Sequence, residues 1–422
     1  MTPDILERSP TAGSSDLLSR SSPSGHDRLR GAILIGLSVA AGAVAWSGNM
    51  LTLPVAMLFP LLWAKSPSRV IAAAVSAAYF LAASRGLPQG VAKFYAADLW
   101  PGLLLWATAS VGFTLVHAVL WTGHSEKRRG VRYLLAMVLT GVPPFGIAGW
   151  AHPLNAAGVL FPGWGWCGLG ATAILLVVMT GRRWQIAVAV LFGLYAWSAT
   201  DWTQPTVPDS WKGVDLALGQ NLGRNGALRY HRDLIATVLA EGEEARFVVL
   251  PERTIGFWTP TVARVWQHGL LRSDITVIAG AAVVDAAGYD NVMVSISASE
   301  ARILYRERMP VPLSMWRPWQ FWMGQGGGAR AHFFANPVVE VAGMRIAPLI
   351  CYEQLILWPI LQSMLQAPDI IVATGNGWWT SGTSIIAIQQ ASAVAWSRLF
   401  GVPIVMAFNQ NSFHSDIREM TK

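Results

Sequence analysis

Charge and cysteine are what this chain has least of. Only 13% of its 422 residues are charged while 53% are hydrophobic, and an ordinary water-soluble domain carries about twice that share of charge. A wholly soluble globule is excluded, so part of the chain belongs in lipid. Its two cysteines, Cys167 and Cys351, lie far apart in unlike surroundings, which argues against a structural disulfide. Cys167, among small and apolar residues in "WGWCGLG", reads as inert packing. The eight histidines show no metal-ligand spacing, so no metal is expected and His332 reads as a surface histidine. The glycine-rich "GQGGGAR", Gly324–Arg330, lacks the Gly-Lys-Ser/Thr ending of a phosphate loop and reads as a mobile lid. No cofactor is implied.

What is present divides at about residue 200, where long apolar runs give way to strand-length bursts. Residues 1–30, rich in Ser, Pro and Gly, read as a disordered tail rather than a cleavable signal. Residues 31–199 read as a transmembrane domain of about seven helices: Gly31–Trp46, Met50–Ala64, Val70–Ser84, Leu99–Trp121, Tyr133–Trp150, Trp164–Met179 and Trp184–Ser198. Basic residues stand in alternate loops: Arg28 and Arg30, Lys65 and Arg69, Lys127 to Arg132, Arg182 and Arg183. That alternation predicts an inside start. An odd number of spans then puts the rest of the chain on the periplasmic side of a bacterial inner membrane. The net charge of +7 is accounted for by these loops, so nucleic-acid binding is not expected; membrane lipids are. Many of the 21 tryptophans stand at span ends, Trp46, Trp100, Trp121, Trp150, Trp164 and Trp184 among them, as interfacial anchors do.

After a connector, 200–212, residues 213–422 read as an α/β sandwich. Bursts such as "RFVVLPE", "ITVIAGAAVV", "RIAPLICY" and "DIIVATGN" alternate with helical segments at Leu228–Glu241, Thr259–Leu271, Gln354–Gln366 and Ser384–Leu399. Glu252, Cys351 and Asn376 fall at the carboxyl ends of strands, where ligands gather in α/β sheets. A helix beginning near Glu353 is expected to turn its positive end on Cys351 and lower the thiol pKa. Spacing alone leaves two plainer readings open: a small buried hydrophobe for Cys351 and a first-turn helix carboxylate for Glu252.

Glu252 in "LPERTIGFW", a Tyr-basic segment before "PVPLS", "ICYE" and then "NGWW" resemble, in order and spacing, the nitrilase or carbon–nitrogen hydrolase superfamily. The closest resemblance is to its membrane-anchored apolipoprotein N-acyltransferase-like branch, and the pairing of spans with this domain is similar to a plasmid conjugal-transfer branch. The resemblance implies an N-terminal multi-span α-helical membrane domain followed by an α/β nitrilase-like α-β-β-α sandwich domain. It implies Glu252 as general base and Cys351 as nucleophile, acting on an amide, ester or acyl donor. Glu353, Asn376 and Trp378 match supporting positions beside the pocket. An acyl or lipid-linked substrate and conjugation proteins are the partners it implies.

The chain departs from the family where a lysine is expected: in "YRERMPVPLSM" Glu307 takes that place, and no lysine lies between Glu252 and Cys351. Arg308, or Arg306, reached by a one-residue slip that requires a bulge, is the replacement expected. An arginine there could stabilise an anion but hardly exchange protons. Met315 replaces the glutamate of the following turn, and the chain stops at Lys422 without the further strands and final span of the acyltransferases. These departures leave an alternative, a catalytically inactive nitrilase-like binding or assembly module of a conjugation system.

Overall fold

The computed structural model describes residues 25–200, 202–219, 228–243 and 245–410. Most of the expected tail and the segment after Gln410 lie outside the described residues. The first half is helical: α1 (Gly25–Ala45), a 3₁₀ helix (Met50–Leu58) running into α2 (Phe59–Lys65), α3 (Arg69–Ala83), α4 (Leu87–Tyr95), α5 (Leu99–Leu120), α6 (Glu126–Gly141), α7 (Ala157–Leu160), α8 (Gly165–Met179) and α9 (Trp184–Thr200). Gly25–Arg30, expected within the tail, is the first part of α1. Asp27 in its opening turn faces the positive helix end, and the apolar run behind it propagates the helix backwards.

Among the described residues, α1 and α5 are long and apolar enough to cross a membrane. The pair α3 and α4, bent by 51° at a short break, makes a third if counted together. Other expected spans are shorter or broken, for local reasons. Pro54 sits inside the 3₁₀ stretch, where it removes a helical donor. α6 stops at Gly141, nine residues before the expected end at Trp150, ahead of the prolines at 143 and 144. α4 lies in what reads as a loop. Trp46 is not an interfacial anchor: it is 1% exposed, and its indole N–H donates to the Tyr79 hydroxyl at 2.9 Å. Trp100 and Trp164 are exposed.

The second half carries two sheets. One has the order β1 (Trp211–Gly213), β2 (Phe247–Val249), β3 (Thr276–Asp285), β4 (Gly288–Ile296), β5 (Ala301–Arg306), parallel from β1 to β3 and antiparallel beyond. The other has β6 (Val339–Val341), β7 (Met344–Ile350), β8 (Ile370–Asn376) and β9 (Ile404–Asn409), antiparallel at β6 and parallel after it. Alternation along each strand sorts the side chains into layers. Phe247, Val249, Ile278 and Met293 meet Ile346, Ile350, Ile370 and Val372 between the sheets. Val248, Val277 and Val294 face α10 (Leu228–Glu241) and α11 (Pro260–Gly269) on one outer side.

Ala347, Leu349, Ile371 and Ala373 face the other outer layer, which follows a short α12 (Pro318–Trp322) in the chain and consists of α13 (Leu357–Met364) and α14 (Ile385–Phe400). This layer packs on its far side against the first half, so one apolar core includes Trp46, Leu154 and Leu160 together with Trp396 and Leu399. The approach of α7 to α14 is close enough that a Cβ on Gly158 would lie 1.8 Å from the Ala395 carbonyl oxygen. Hydrogen bonds cross the junction: Asn155 Nδ2 donates to Ser392 Oγ at 2.8 Å, and the buried Arg398 donates to the Thr203 carbonyl at 2.7 Å and that of Gly158 at 3.3 Å.

Candidate functional site

β7 ends at Ile350, and Cys351 follows in the left-handed region with φ +48°. For a residue with a Cβ that backbone is costly and is found where the fold over-determines it. The turn that places Glu252 comes after β2 and docks on β3 at Gly280, whose N–H donates to the Pro251 carbonyl at 3.2 Å. Only glycine fits there: a Cβ would stand 2.4 Å from the Arg253 nitrogen and 2.5 Å from the Glu252 Cα. The two turns bring the Glu252 carboxyl and the Cys351 thiol to the lining of one cavity, close enough for each to act on the other's ionisation. Both side chains are buried, at 5% and 7% exposure.

Four further groups frame this pair. The Asn291 amide, on β4, donates to Glu252 Oε1 at 2.8 Å and to Glu307 Oε2 at 3.0 Å. Gln389, on α14, donates to Cys351 Sγ at 3.7 Å. Glu353 ties the turn down, accepting from Ile350 N at 2.8 Å, Arg308 N at 2.7 Å and Tyr305 Oη at 2.6 Å. Asn376, at the end of β8, accepts from Asn409 Nδ2 at 2.9 Å and lines the pocket.

Burial pushes the Cys351 thiol well up, and the Glu252 and Glu307 carboxyls push it further. This reverses the expectation of a lowered thiol. The turn after Cys351 is a 3₁₀ stretch, Cys351–Gln354, and α13 starts only at Leu357, so the helix expected to begin near Glu353 does not start there. Burial also raises Glu252, with Arg253 the largest influence in the other direction. Glu307 is raised well above the carboxylate range by burial and then by Glu353 and Glu252. A protonated thiol beside a carboxyl of raised basicity suits concerted proton removal during attack rather than a standing thiolate.

The thiol opens on two adjoining cavities. One, of about 110 Å³, is lined by Glu252, Arg253, Tyr289, Met315, Asn376 and residues of α4. The other, of about 420 Å³, is overwhelmingly apolar and reaches Leu105, Thr108 and Ala109 on α5. Cys351, Leu87, Leu105, Val311 and Trp379 line both.

Of the residues singled out in the sequence, Glu252, Cys351, Glu353 and Asn376 come together here. Trp378 stacks on Phe94 of α4, with ring centroids 5.7 Å apart, and its neighbour Trp379 lines the cavities. Arg308 and Arg306 do not reach the pocket. The Arg308 side chain is buried and turned away, donating to Tyr305 Oη at 2.9 Å, Gln362 Oε1 at 3.1 Å, Ser363 Oγ at 3.0 Å and the Pro348 carbonyl at 3.2 Å. Arg306 pairs with Asp290. The β4–β5 register does shift, at Met293/Val294, yet it sends neither guanidinium inwards.

The glycine-rich segment is docked on the β3–β4 hairpin: Ala329 bridges to Tyr289, and Arg330 pairs with Asp285 at 2.6 Å and Asp290 at 2.8 Å. His332 is held at 3.0 Å by the same Asp290. Among the described residues no group of three His, Cys, Asp or Glu is arranged to hold a metal ion. Arg253, Tyr289, Asn291 and Gln389 escape sequence reading. Only Arg253 carries a signal, its place directly after Glu252.

The carbon–nitrogen hydrolase family profile matches residues 81–398. The chain is 65% identical over 420 residues to the conjugal transfer protein TraB of Agrobacterium fabrum, covering 97% of this chain and 100% of that protein. It is 60% identical over 386 residues to the probable conjugal transfer protein TraB of Sinorhizobium fredii, covering 91% and 99%. Among solved structures, a carbon–nitrogen hydrolase from Helicobacter pylori aligns at 12% identity and a TM-score of 0.35, over 47% of this chain and 72% of that one.

Proposed function

Because the chain belongs to the carbon–nitrogen hydrolase family, we propose that it is a membrane-tethered cysteine enzyme of that family. It takes an acyl group from an ester or amide donor at the outer face of the inner membrane and serves plasmid conjugal transfer. The conjugal role is suggested by the relatives' names. In this reading Glu252 takes the thiol proton as Cys351 Sγ bonds to the donor's carbonyl carbon, and the carbonyl electron pair moves onto oxygen. When that pair returns, the bond to the leaving alcohol or amine breaks, Glu252 returns the proton to it, and a thioester remains on Cys351. Water or an amine, deprotonated by Glu252, then attacks the thioester carbon; the carbon–sulfur bond breaks, the acid or amide leaves, and Glu252 returns the proton to the Cys351 sulfur.

The observation that carries the acyl reading is the apolar cavity running from Cys351 to α5, a helix long and apolar enough for a bilayer. Apolar lining with few polar groups is what a hydrocarbon chain requires. The test is the intact mass of protein isolated from membranes. We expect a fraction carrying an added acyl mass on Cys351, lost in Cys351→Ala. A bare mass, with no thioester after incubation with long-chain esters, overturns the reading.

One observation favours a second reading, an assembly module without chemistry: an acid, Glu307, stands where the family places a lysine, and the thiol is held protonated. Cys351→Ser separates the two. Plasmid transfer at the wild-type frequency supports the module; transfer reduced to that of a null strain rejects it.

A further inference from the structure

We propose that Arg253 provides the positive charge of this site and holds the substrate's carbonyl oxygen as it becomes negative during attack by Cys351. The proposal rests on the acyl-transfer reading above. Thiol attack places a full charge on that oxygen, inside a pocket lined by Glu252 with the buried Glu307 and Glu353 as its neighbours, and such a charge is tolerable only beside a preorganised donor. The described arginines near the pocket divide clearly. Arg308 spends its donors on Tyr305, Gln362, Ser363 and Pro348, Arg306 and Arg330 are bound to Asp290, and Arg317 donates to the Leu313 and Ser314 carbonyls and to Tyr95 Oη at the cavity's edge. Arg253 alone among them lines the cavity that also holds Cys351 and Glu252. Its Nε is buried with no hydrogen-bond partner.

Its placement is built rather than incidental. The residue sits in the left-handed region, φ +58°, a strained backbone for a side-chain-bearing residue. Its guanidinium carbon lies 4.7 Å from the centroid of the Tyr289 ring, a cation–π contact. Tyr289 is fixed in turn by its bridge to Ala329. That bridge depends on Gly288, where a Cβ would stand 2.4 Å from the Gly328 carbonyl oxygen. The glycine-rich segment thus backs the ring on which Arg253 rests. A guanidinium does not give up its proton, so the assignment is electrostatic, and proton transfer stays with Glu252.

The test compares two reactions of the same sulfur in the full-length protein: acylation by the p-nitrophenyl ester of a fatty acid, which forms an oxyanion, and alkylation by iodoacetamide, which does not. Removing one oxyanion donor costs on the order of 10²-fold or more. Arg253→Gln is expected to slow acylation by about that factor while alkylation stays within about threefold, and Arg253→Lys to regain part of the loss. Unchanged acylation in Arg253→Gln, with the wild type reactive, overturns this proposal and leaves the acyl-transfer reading standing. A wild type that alkylates but forms no thioester brings down both. Equal loss of both reactions in the two variants indicates a structural role and also overturns it.

Discussion

Asn291 offers one amide group to two carboxyls, Glu252 at 2.8 Å and Glu307 at 3.0 Å, and like charges so close in a buried space cannot both be ionised at ordinary pH. Burial raises both, and Glu353 and Glu252 push Glu307 well above the carboxylate range, whereas Arg253 and the Asn291 amide pull Glu252 back down, which favours Glu252 as the usable base. The consequence for stability has a definite sign. A folded-state pKa raised above the unfolded one contributes stability that is fully present below the ordinary carboxylate range, about 4.3, and is lost as pH rises towards the raised value. Glu307→Gln keeps an oxygen for Asn291 and removes the titration. The melting temperature of the wild type is therefore expected to fall relative to Glu307→Gln as pH increases above about 4.3, by roughly 1.5 °C for each pH unit crossed. Parallel curves from pH 4.5 to 7.5 would show that Glu307 is ionised in the folded protein.

At the scale of elements, α4 is the part that joins the pocket to the helical half. Leu87, Val91, Phe94 and Tyr95 line the smaller cavity, and Phe94 meets both Trp378 and Trp379. Gly90 allows this contact: a Cβ there would lie 2.5 Å from the Trp379 ring. Gly90→Val is expected to part α4 from Trp379 and open the cavity wall. Acylation of Cys351 by a long-chain ester should then drop about tenfold while a two-carbon ester loses little, since lost apolar contact of ~1.4 kcal/mol is tenfold. Equal effects on both esters would remove α4 from the acyl path. None of this was legible in the sequence, for α4 is too short for a span and carries Pro88 and Gly90, so it reads as a loop. The strands were legible because Val and Ile recur through them on both faces, and Glu252 and Cys351 because they stand at strand ends in the family's order. Arg253, Asn291 and Gln389 are brought in from a turn, a strand and a distant helix by tertiary packing, which leaves no local pattern. Arg308 was misplaced: the bulge that sequence reasoning required is present, with Leu304 as the extra residue on β5, yet Arg308 lies past it and gives its donors to Gln362 and Ser363 of α13 instead of the pocket.

For the whole molecule, the arrangement of charge decides which way it faces. The basic loops far apart in the chain converge on one end of the helical half: Arg30 donates to the Lys65 carbonyl at 2.9 Å, Lys65 lies over the Trp184 ring at 5.9 Å, and the Arg182 N–H donates to Glu126 at 2.9 Å. The sandwich meets the helical half elsewhere, where Gly48, just past the C-terminal end of α1, abuts Ala387 and Lys93 of α4 bonds Ser381 Oγ at 2.8 Å. α1 has its basic N-terminal residues at the first end and its C-terminal end at the second, and its length, 21 residues, suits a bilayer. Since basic loops are retained on the cytoplasmic side, the sandwich and its thiol are expected on the outer side. Alkaline phosphatase, active only after export, joined behind residue 410 should be active, and a fluorescent protein that matures only in the cytoplasm should be dark at the same junction. The same phosphatase placed in the loop between α8 and α9 should be inactive, because Arg182 and Arg183 lie there. A bright fluorescent fusion at the carboxyl end would put Cys351 in the cytosol and remove the outer leaflet as the source of the acyl donor, whatever chemistry the thiol performs.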